Sequence, residues 1–174
     1  MPDHIDPVSR FIRTATEEHW TSLFPALEEL SQAMIGHRLF SCSIFRKDDG
    51  AKWVAARIYT SDEENYPTSG QKEIVPTRWT DTVIIRRNVF LANSAEAFSD
   101  VFADHEKIAS MGLGSVVNLP VTFCGQFLGT VNLLHETGYY SDLRASELKN
   151  LVLPSLLTFQ LSAETAEVTR YIAT

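Results

Sequence analysis

The sequence contains little cysteine, fewer basic than acidic residues, and no apolar run that approaches membrane-spanning length. Its two cysteines, Cys42 and Cys124, lie far apart in the chain, so no disulfide framework is indicated and a reducing compartment would keep both as thiols. The first residues, Met-Pro-Asp-His-Ile-Asp-Pro, have neither the basic segment nor the apolar core of a signal peptide. These absences predict a cytoplasmic protein that does not cross a membrane.

The charge balance argues against nucleic acid as a partner. With 22 acidic and 15 basic side chains the formal net charge is -7, and such a surface repels a phosphate backbone on average. Arg86-Arg87 is the only local basic group of note, and it is too short to outweigh that field. We therefore expect no nucleic-acid function.

Residue groups that would indicate a metal or a reaction are also missing. The histidines show no His-x-x-x-His spacing. Asp104-His105-Glu106 contains ligand-type side chains, but a helix beginning here explains both carboxylates and leaves His105 at a pocket mouth or in solvent. No neighbouring residue indicates a reactive thiol at Cys42 or Cys124. The sequence thus predicts no metal, no cofactor and no enzymatic activity.

The apolar pattern predicts one domain over residues 1–174, in which terminal helices flank a five- or six-stranded antiparallel sheet. The three parts are a helical segment over 1–37, a sheet with short helices over 38–136, and a C-terminal helix over 141–170. Pro25 should kink the first segment or make it restart near Leu23 to Phe24, and Pro154 should bend the last helix.

The central part divides further by residue type. Aromatic and β-branched residues predict strands, and a polar stretch predicts a long ordered loop or lid. The predicted elements are a hairpin of Leu39–Arg46 and Trp53–Thr60, the loop Ser61–Arg78, short strands Thr82–Ile85 and Val89–Leu91, one or two short helices over Ser94–Met111, and strands Ser115–Val121 and Gln126–His135.

The last two strands carry the most information, because asparagines interrupt otherwise apolar runs. A three-residue loop Phe123-Cys124-Gly125 would pair Asn118 with Thr130 and place Asn118, Thr130 and Asn132 on one face. These side chains either satisfy one another or are presented to a small ligand. The opposite, apolar face should pack against the terminal helices; it comprises Ser115, Val117, Leu119, Val121, Phe127, Val131 and Leu133.

Three motifs together resemble the GAF domain family. They are Gly-Ser-Val-Val-Asn-Leu-Pro-Val from Gly114, Gly-Gln-Phe-Leu-Gly-Thr-Val-Asn-Leu-Leu from Gly125, and Tyr-Tyr-Ser-Asp opening the last helix. The resemblance covers nearly the whole chain and implies a GAF/PAS-like α+β fold, with the terminal helices on one sheet face and short helices plus a ligand pocket on the other. Most relatives bind a small molecule or chromophore, or act as dimerising regulatory modules.

The chemistry of particular GAF branches is not matched here. In the cyclic-nucleotide motif Asn132 and Asp142 resemble the family's Asn and Asp, but Leu133 stands where that motif has Lys. Branches that reduce free methionine sulfoxide carry cysteines in regions that correspond to Thr77–Val83 and Phe98–Met111, and neither contains one. The latter region also lacks a thiol for bilin attachment.

We therefore predict a non-catalytic sensor that holds a small polar or aromatic molecule without a covalent bond. An aromatic wall and a guanidinium could hold a flat or anionic ligand beside the asparagines, although core packing also explains the aromatic residues. The candidate ligand-binding residues are Arg57, Tyr59, Trp79, His105, Asn118, Thr130 and Asn132. Two alternatives remain: a homodimerising regulatory module with a closed pocket, joined through Val8–Ile35 and Leu143–Thr169, and a thiol-dependent reductase.

Overall fold

A computed structural model of the protein describes residues 6–50, 52–69 and 71–163. Six strands form a single antiparallel sheet in the order β3-β2-β1-β6-β5-β4. The strands are β1 Leu39–Lys47, β2 Trp53–Thr60, β3 Gln71–Ile74, β4 Phe90–Ala92, β5 Ser115–Phe123 and β6 Gln126–His135. The predicted α+β fold with a central antiparallel sheet is confirmed.

In the described part of the chain, six α-helices and several tighter turns flank the sheet. The helices are α1 Pro7–Glu17, α2 Leu23–Met34, α3 Arg78–Thr80, α4 His105–Ser110, α5 Asp142–Ser146 and α6 Val152–Ala163. The segment Asp81–Ile85 continues α3 as a π-helical turn, and 3₁₀ turns occupy Trp20–Ser22, Glu96–Phe98 and Glu147–Leu151.

Two prolines set the breaks in the terminal helical segments. Pro25 is the third residue of α2 and Pro154 the third residue of α6. Proline is tolerated in a first helical turn, where its missing N–H has no intrahelical partner to lose. The chain accordingly restarts at Leu23, as predicted, and passes through a 3₁₀ turn before Val152 instead of bending one long helix. The part of the predicted C-terminal helix beyond residue 163 lies outside the described residues.

The two faces of the sheet bury different cores. Along β1, Phe40, Cys42 and Ile44 point to the terminal helices, whereas Ser41 and Ser43 point to the other side. The larger core joins α1, α2 and α6 to the sheet; its helical members include Phe11, Leu23, Leu27, Leu30, Leu151 and Phe159. The smaller core on the other face includes Phe45, Trp79, Val83, Ile84, Phe90, Phe98 and Ile108.

The predicted strand over Thr82–Ile85 is wrong, because this segment is helical. Thr77 caps the preceding turn by accepting a hydrogen bond from the Trp79 N–H, and Thr80 completes a capping box. The helical path buries Val83 and Ile84 in the smaller core. Here tertiary burial and the cap override the β-propensity of Thr-Val-Ile-Ile.

The predicted loop Ser61–Arg78 contains a strand that sequence reasoning missed. Strand β3 pairs with β2 at the sheet edge, and three of its four residues are exposed. An edge strand with little buried surface shows no period-two alternation of apolar residues, which is the signal used to predict strands.

The predicted register of the β5–β6 hairpin is also wrong. Cys124 and Gly125 form a two-residue turn with φ of 45° and 83°, and a bulge follows between Val121 and Thr122, so Asn118 pairs with Asn132. This shift of two residues keeps both asparagines on the expected face. The bulge moves Phe127, however, to the smaller core and turns Leu128 to the terminal helices.

Gly129 allows α6 to approach the sheet and provides a test of this packing. A Cβ at position 129 would lie 2.2 Å from the carbonyl oxygen of Ser43 and 2.5 Å from the ring of Phe159. We expect Gly129→Ala to lower the free energy of unfolding by about 1–3 kcal/mol through overpacking. In urea titrations the control Gly50→Ala, whose nearest neighbour would be 3.4 Å away, should stay within about 0.5 kcal/mol of the wild type. Equal effects of the two changes would contradict the packing.

Candidate ligand-binding site

A cavity of about 240 Å³ lies on the sheet face opposite the terminal helices. Its floor is formed by β1, β2, β5 and β6, and its cover by α3, α4 and the chain around β3. The lining residues are Leu39, Ser41, Ser43, Phe45, Ala55, Arg57, Tyr66, Lys72, Glu73, Ile74, Val75, Thr77, Trp79, Val101, Phe102, Ala103, Asp104, Ile108, Val116, Asn118, Thr130, Asn132 and Leu134.

A chain of side-chain hydrogen bonds crosses the floor of this cavity. Trp79 Nε1 donates to Asn118 Oδ1 at 2.8 Å, and Asn118 Nδ2 donates to Asn132 Oδ1, also at 2.8 Å. Asn132 Nδ2 then donates to Ser41 Oγ at 3.2 Å and Ser43 Oγ at 3.4 Å. Because the indole N–H can only donate, it fixes the orientation of Asn118 and, through it, that of Asn132. The asparagines thus satisfy each other on one sheet face.

This hydrogen-bond chain leaves donors at its serine end. Ser41 and Ser43 each accept a hydrogen bond from Asn132, and a hydroxyl that accepts keeps its own O–H for donation. Both serines line the cavity. Their hydroxyl protons are therefore available to a molecule that occupies it.

Arg57 and Tyr66 form a charged corner of the cavity. Arg57 Nη1 donates to the carbonyl oxygen of Pro67 at 2.9 Å, and its guanidinium lies 5.0 Å from the centre of the Tyr66 ring. Burial raises the pKa of the Tyr66 hydroxyl, and the neighbouring Asp104 carboxylate raises it further. Asp104 in turn lies 3.8 Å from Lys72 Nζ.

Three buried polar atoms of lining residues have no hydrogen-bond partner among the described residues. They are Arg57 Nε, the Tyr66 hydroxyl oxygen and Thr130 Oγ1. Thr130 is only 1% exposed, and a buried polar group without a partner costs roughly 1–3 kcal/mol. Such atoms are uncommon in folded proteins and call for an explanation.

The structure brings five of the seven predicted site residues together in the lining of the cavity. They are Arg57, Trp79, Asn118, Thr130 and Asn132.

Tyr59 lies on the other side of the sheet, so its predicted place beside the asparagines is wrong. A bulge lets Cys42 pair with Tyr59 and Ser43 with Arg57, which makes Ile58 an extra residue and ends the alternation. Tyr59 stacks on Phe24 with ring centres 5.6 Å apart, and its hydroxyl donates to Glu28 Oε2 at 2.5 Å. It packs against the larger core, between the sheet and the terminal helices.

His105 does not line the cavity either. It is the first residue of α4 and is half-buried, with Nδ1 lying 2.9 Å from the carbonyl oxygen of Phe102. The aromatic side chain that α4 and its preceding turn do bring to the cavity is Phe102.

Sequence reasoning missed several lining residues, notably Ser41, Ser43 and Tyr66. The serines had a usable signal, because they alternate with Phe40, Cys42 and Ile44 along β1. Tyr66 had none, since it stands in a polar segment and its burial depends on tertiary contacts, such as those with Arg57 and Lys107.

The two cysteines lie away from the cavity. Cys42 is fully buried in the terminal-helix core, and burial raises the pKa of its thiol well above the ordinary value. Cys124 is exposed in the β5–β6 turn. Over the described ranges, no group of three or more His, Cys, Asp or Glu side chains is arranged to hold a metal ion.

Comparison with known proteins decides the family. The family model described as "GAF domain" matches residues 21–152, which is most of the chain and includes all of the strands. The chain belongs to the GAF domain family. This family comprises small-molecule-binding sensory domains, and the cavity described above occupies the sheet face that the resemblance predicted. No curated protein matches the chain.

Solved structures confirm the fold of this GAF domain. The GAF domain of an Acinetobacter phosphoenolpyruvate-protein phosphotransferase is similar with TM-score 0.64 and 13% identity, over 95% of this chain and 96% of that one. The GAF domain of a Bacillus halodurans two-component sensor histidine kinase has TM-score 0.61 and 10% identity, over 80% and 92%. The chromophore-binding domain of an R. palustris bacteriophytochrome has TM-score 0.60 and 13% identity, over 90% of this chain and 60% of that one.

In the part of the GAF domain that the structure describes, no helix combines the length and apolar character that crossing a membrane requires.

The hydrogen-bond chain on the cavity floor can be tested by a double-mutant cycle. Asn132→Leu leaves the amide of Asn118 without its acceptor, and Asn118→Leu leaves the Trp79 indole without one. We expect each change to lower the free energy of unfolding by about 1–3 kcal/mol, and the double variant to lose less than the sum by about 0.5–3 kcal/mol. Urea denaturation measures all three.

Asn88→Leu serves as the control for this cycle, because Asn88 is exposed. It should change stability by no more than about 0.5 kcal/mol. Strictly additive effects at positions 118 and 132 would show that the two amides do not interact.

Proposed function

We propose that this GAF domain is a non-catalytic sensory module that binds one compact small molecule, without a covalent bond, in the cavity between the sheet and α3 and α4. The observation that carries the proposal is the hollow itself, with a fixed chain of amides along its floor and unsatisfied donors in its lining. Ligand sites in proteins typically combine an apolar wall with a few placed polar groups.

The size of the cavity favours a compact ligand. Its volume of about 240 Å³ is below the roughly 300–1,000 Å³ of most small-molecule pockets. Aromatic side chains form one wall: the Trp79 ring lies 5.7 Å from that of Phe45 and 6.4 Å from that of Phe102. A flat or branched apolar group fits against such rings.

The lining favours binding over catalysis. It contains neither cysteine nor histidine, which are the usual nucleophile and base at neutral pH. Its carboxylates are paired with lysines, since Asp104 lies 3.8 Å from Lys72 Nζ and Glu73 lies 2.9 Å from Lys52 Nζ. We therefore propose that the domain binds and releases its ligand without reacting with it.

The strands offer a route from ligand to output. In β1 and β6, cavity residues such as Ser43 and Asn132 alternate with Cys42 and Val131, which pack against the terminal helices. A ligand that shifts these strands would alter the packing of the helices on the opposite face.

A thermal-shift panel of compact polar and aromatic molecules, both charged and neutral, tests this function. A ligand present at 100 times its Kd should stabilise the domain by about 2.7 kcal/mol, which for a chain of this size raises Tm by roughly 5–10 °C. Ala55→Phe places a ring in the cavity and should abolish the shift. The control Ala109→Phe adds the same ring to an exposed position of α4 and should retain it. A panel without any stabilising member would contradict the proposal.

A second candidate function is homodimerisation through the terminal helices. Exposed apolar side chains in α5 and α6 favour it, because an exposed apolar patch often marks a protein–protein contact. Leu143 of α5 is 82% exposed and Leu153 of α6 is 73% exposed, and Val152 and Leu157 of α6 are also exposed. A second copy of the chain would bury such a surface in a symmetric contact.

Light scattering of Leu153→Asp and Leu157→Asp tests the dimer. If the terminal helices join two copies, each change should convert a dimer into a folded monomer, because these side chains contribute little to the core. Leu27→Asp is the contrasting control, since Leu27 is 0% exposed and its substitution should unfold the domain. A wild-type protein that is monomeric at high concentration would exclude the second candidate.

A further inference from the structure

One row of side chains crosses three neighbouring strands on the cavity face. Ser43 in β1 pairs with Arg57 in β2 on one side and with Thr130 in β6 on the other. Adjacent strands are about 4.8 Å apart, so the three residues form a continuous line at the floor. All three line the cavity.

Every member of this row has a donor to offer. Arg57 Nε and Thr130 Oγ1 are buried and, among the described residues, have no hydrogen-bond partner. Ser43 Oγ accepts from Asn132 Nδ2 and keeps its own O–H. An occupant that accepts hydrogen bonds from the row would satisfy atoms that the protein alone leaves unsatisfied.

Among the charged residues that line the cavity, Arg57 alone forms no ion pair with another described residue. Asp104 is paired with Lys72, and Glu73 with Lys52. Arg57 contacts the Pro67 carbonyl and the Tyr66 ring, and the carboxylates of Asp104 and Glu63 act on it from beyond ion-pair distance. Burial lowers the pKa of the Arg57 guanidinium, but arginine keeps its charge in proteins. A half-buried cation of this kind is stabilised by an anion.

The rest of the lining is apolar on the side of Trp79 and Phe102. We propose that the cavity takes a small organic carboxylate, whose carboxylate binds to the Arg57–Ser43–Thr130 row and whose compact apolar body lies against these rings. This inference rests on the proposed function. A carboxylate has two acceptor oxygens and so can use the guanidinium and a hydroxyl of the row at once.

Matched pairs of acid and amide separate the contribution of the carboxylate to binding from that of the apolar body. Isothermal titration is carried out with benzoate and 3-methylbutanoate, and with benzamide and 3-methylbutanamide as neutral counterparts of the same shape. We expect at least one acid to bind at least tenfold more tightly than its amide. Inorganic phosphate is included as an anion without an apolar body, and it should not bind.

Three variants locate the carboxylate. Arg57→Gln should weaken binding of the acid by tenfold or more and leave the amide unaffected. Thr130→Val should weaken it by about tenfold, and should also raise the Tm of the free domain, because it removes an unsatisfied buried hydroxyl. Arg46→Gln makes the same charge change on β1 outside the cavity lining, where Arg46 donates to Gln71, and should leave the affinity unchanged. If Arg57→Gln does not fold, Thr130→Val decides the question.

The outcomes distinguish this inference from the function on which it rests. If amides or other neutral molecules bind as tightly as the acids, or Thr130→Val leaves the affinity for the acid unchanged, the carboxylate is excluded while a ligand-binding domain remains. If phosphate binds at the row as well as either acid, the site is for simple anions and the proposal is overturned. If no molecule of any kind binds, both proposals fail.

Discussion

The hydrogen-bond chain from Trp79 through Asn118 and Asn132 to the serines of β1 is the constraint on which the cavity depends. It ties α3 to three strands of the sheet, and its direction is fixed because an indole N–H can only donate. With the amides oriented, the smaller apolar core of this face cannot extend across the cavity floor without leaving polar groups unsatisfied. The cavity therefore results from polar groups on its floor that satisfy one another by hydrogen bonds.

The other face of the same strands is closely packed against the terminal helices. Phe40, Cys42 and Val131 pack against the terminal helices, which contribute the ring of Phe159, and Gly129 permits the close approach of α6. Each of the central strands therefore contributes side chains to a closely packed core on one face and to the cavity on the other. This division provides a physical basis for the proposed sensing, since a change at the floor of the cavity acts on strands that the helices also contact.

Much of this arrangement follows from the sequence, and the exceptions have local causes. Period-two alternation was sufficient to place Asn118, Thr130 and Asn132 on one face, and Pro25 was sufficient to place the restart of α2 at Leu23. The prediction from alternation fails where a bulge interrupts a strand, and Tyr59 and Phe127 therefore lie on the faces opposite to those predicted. A bulge adds a residue without a strong sequence signal. The π-helical turn after α3 and the buried Tyr66 depend on contacts distant in sequence.

The most direct test of a ligand site on this face is ¹⁵N NMR of the domain titrated with benzoate, because the groups concerned carry observable N–H bonds. The account predicts shifts of the Trp79 indole, the side-chain amides of Asn118 and Asn132, and Arg57 Nε. The indole of Trp20 packs with the larger core on the opposite face, and its signal should shift less than that of Trp79. Shifts confined to Trp20 and the terminal helices, or no shifts with either benzoate or 3-methylbutanoate at a saturating concentration, would contradict it.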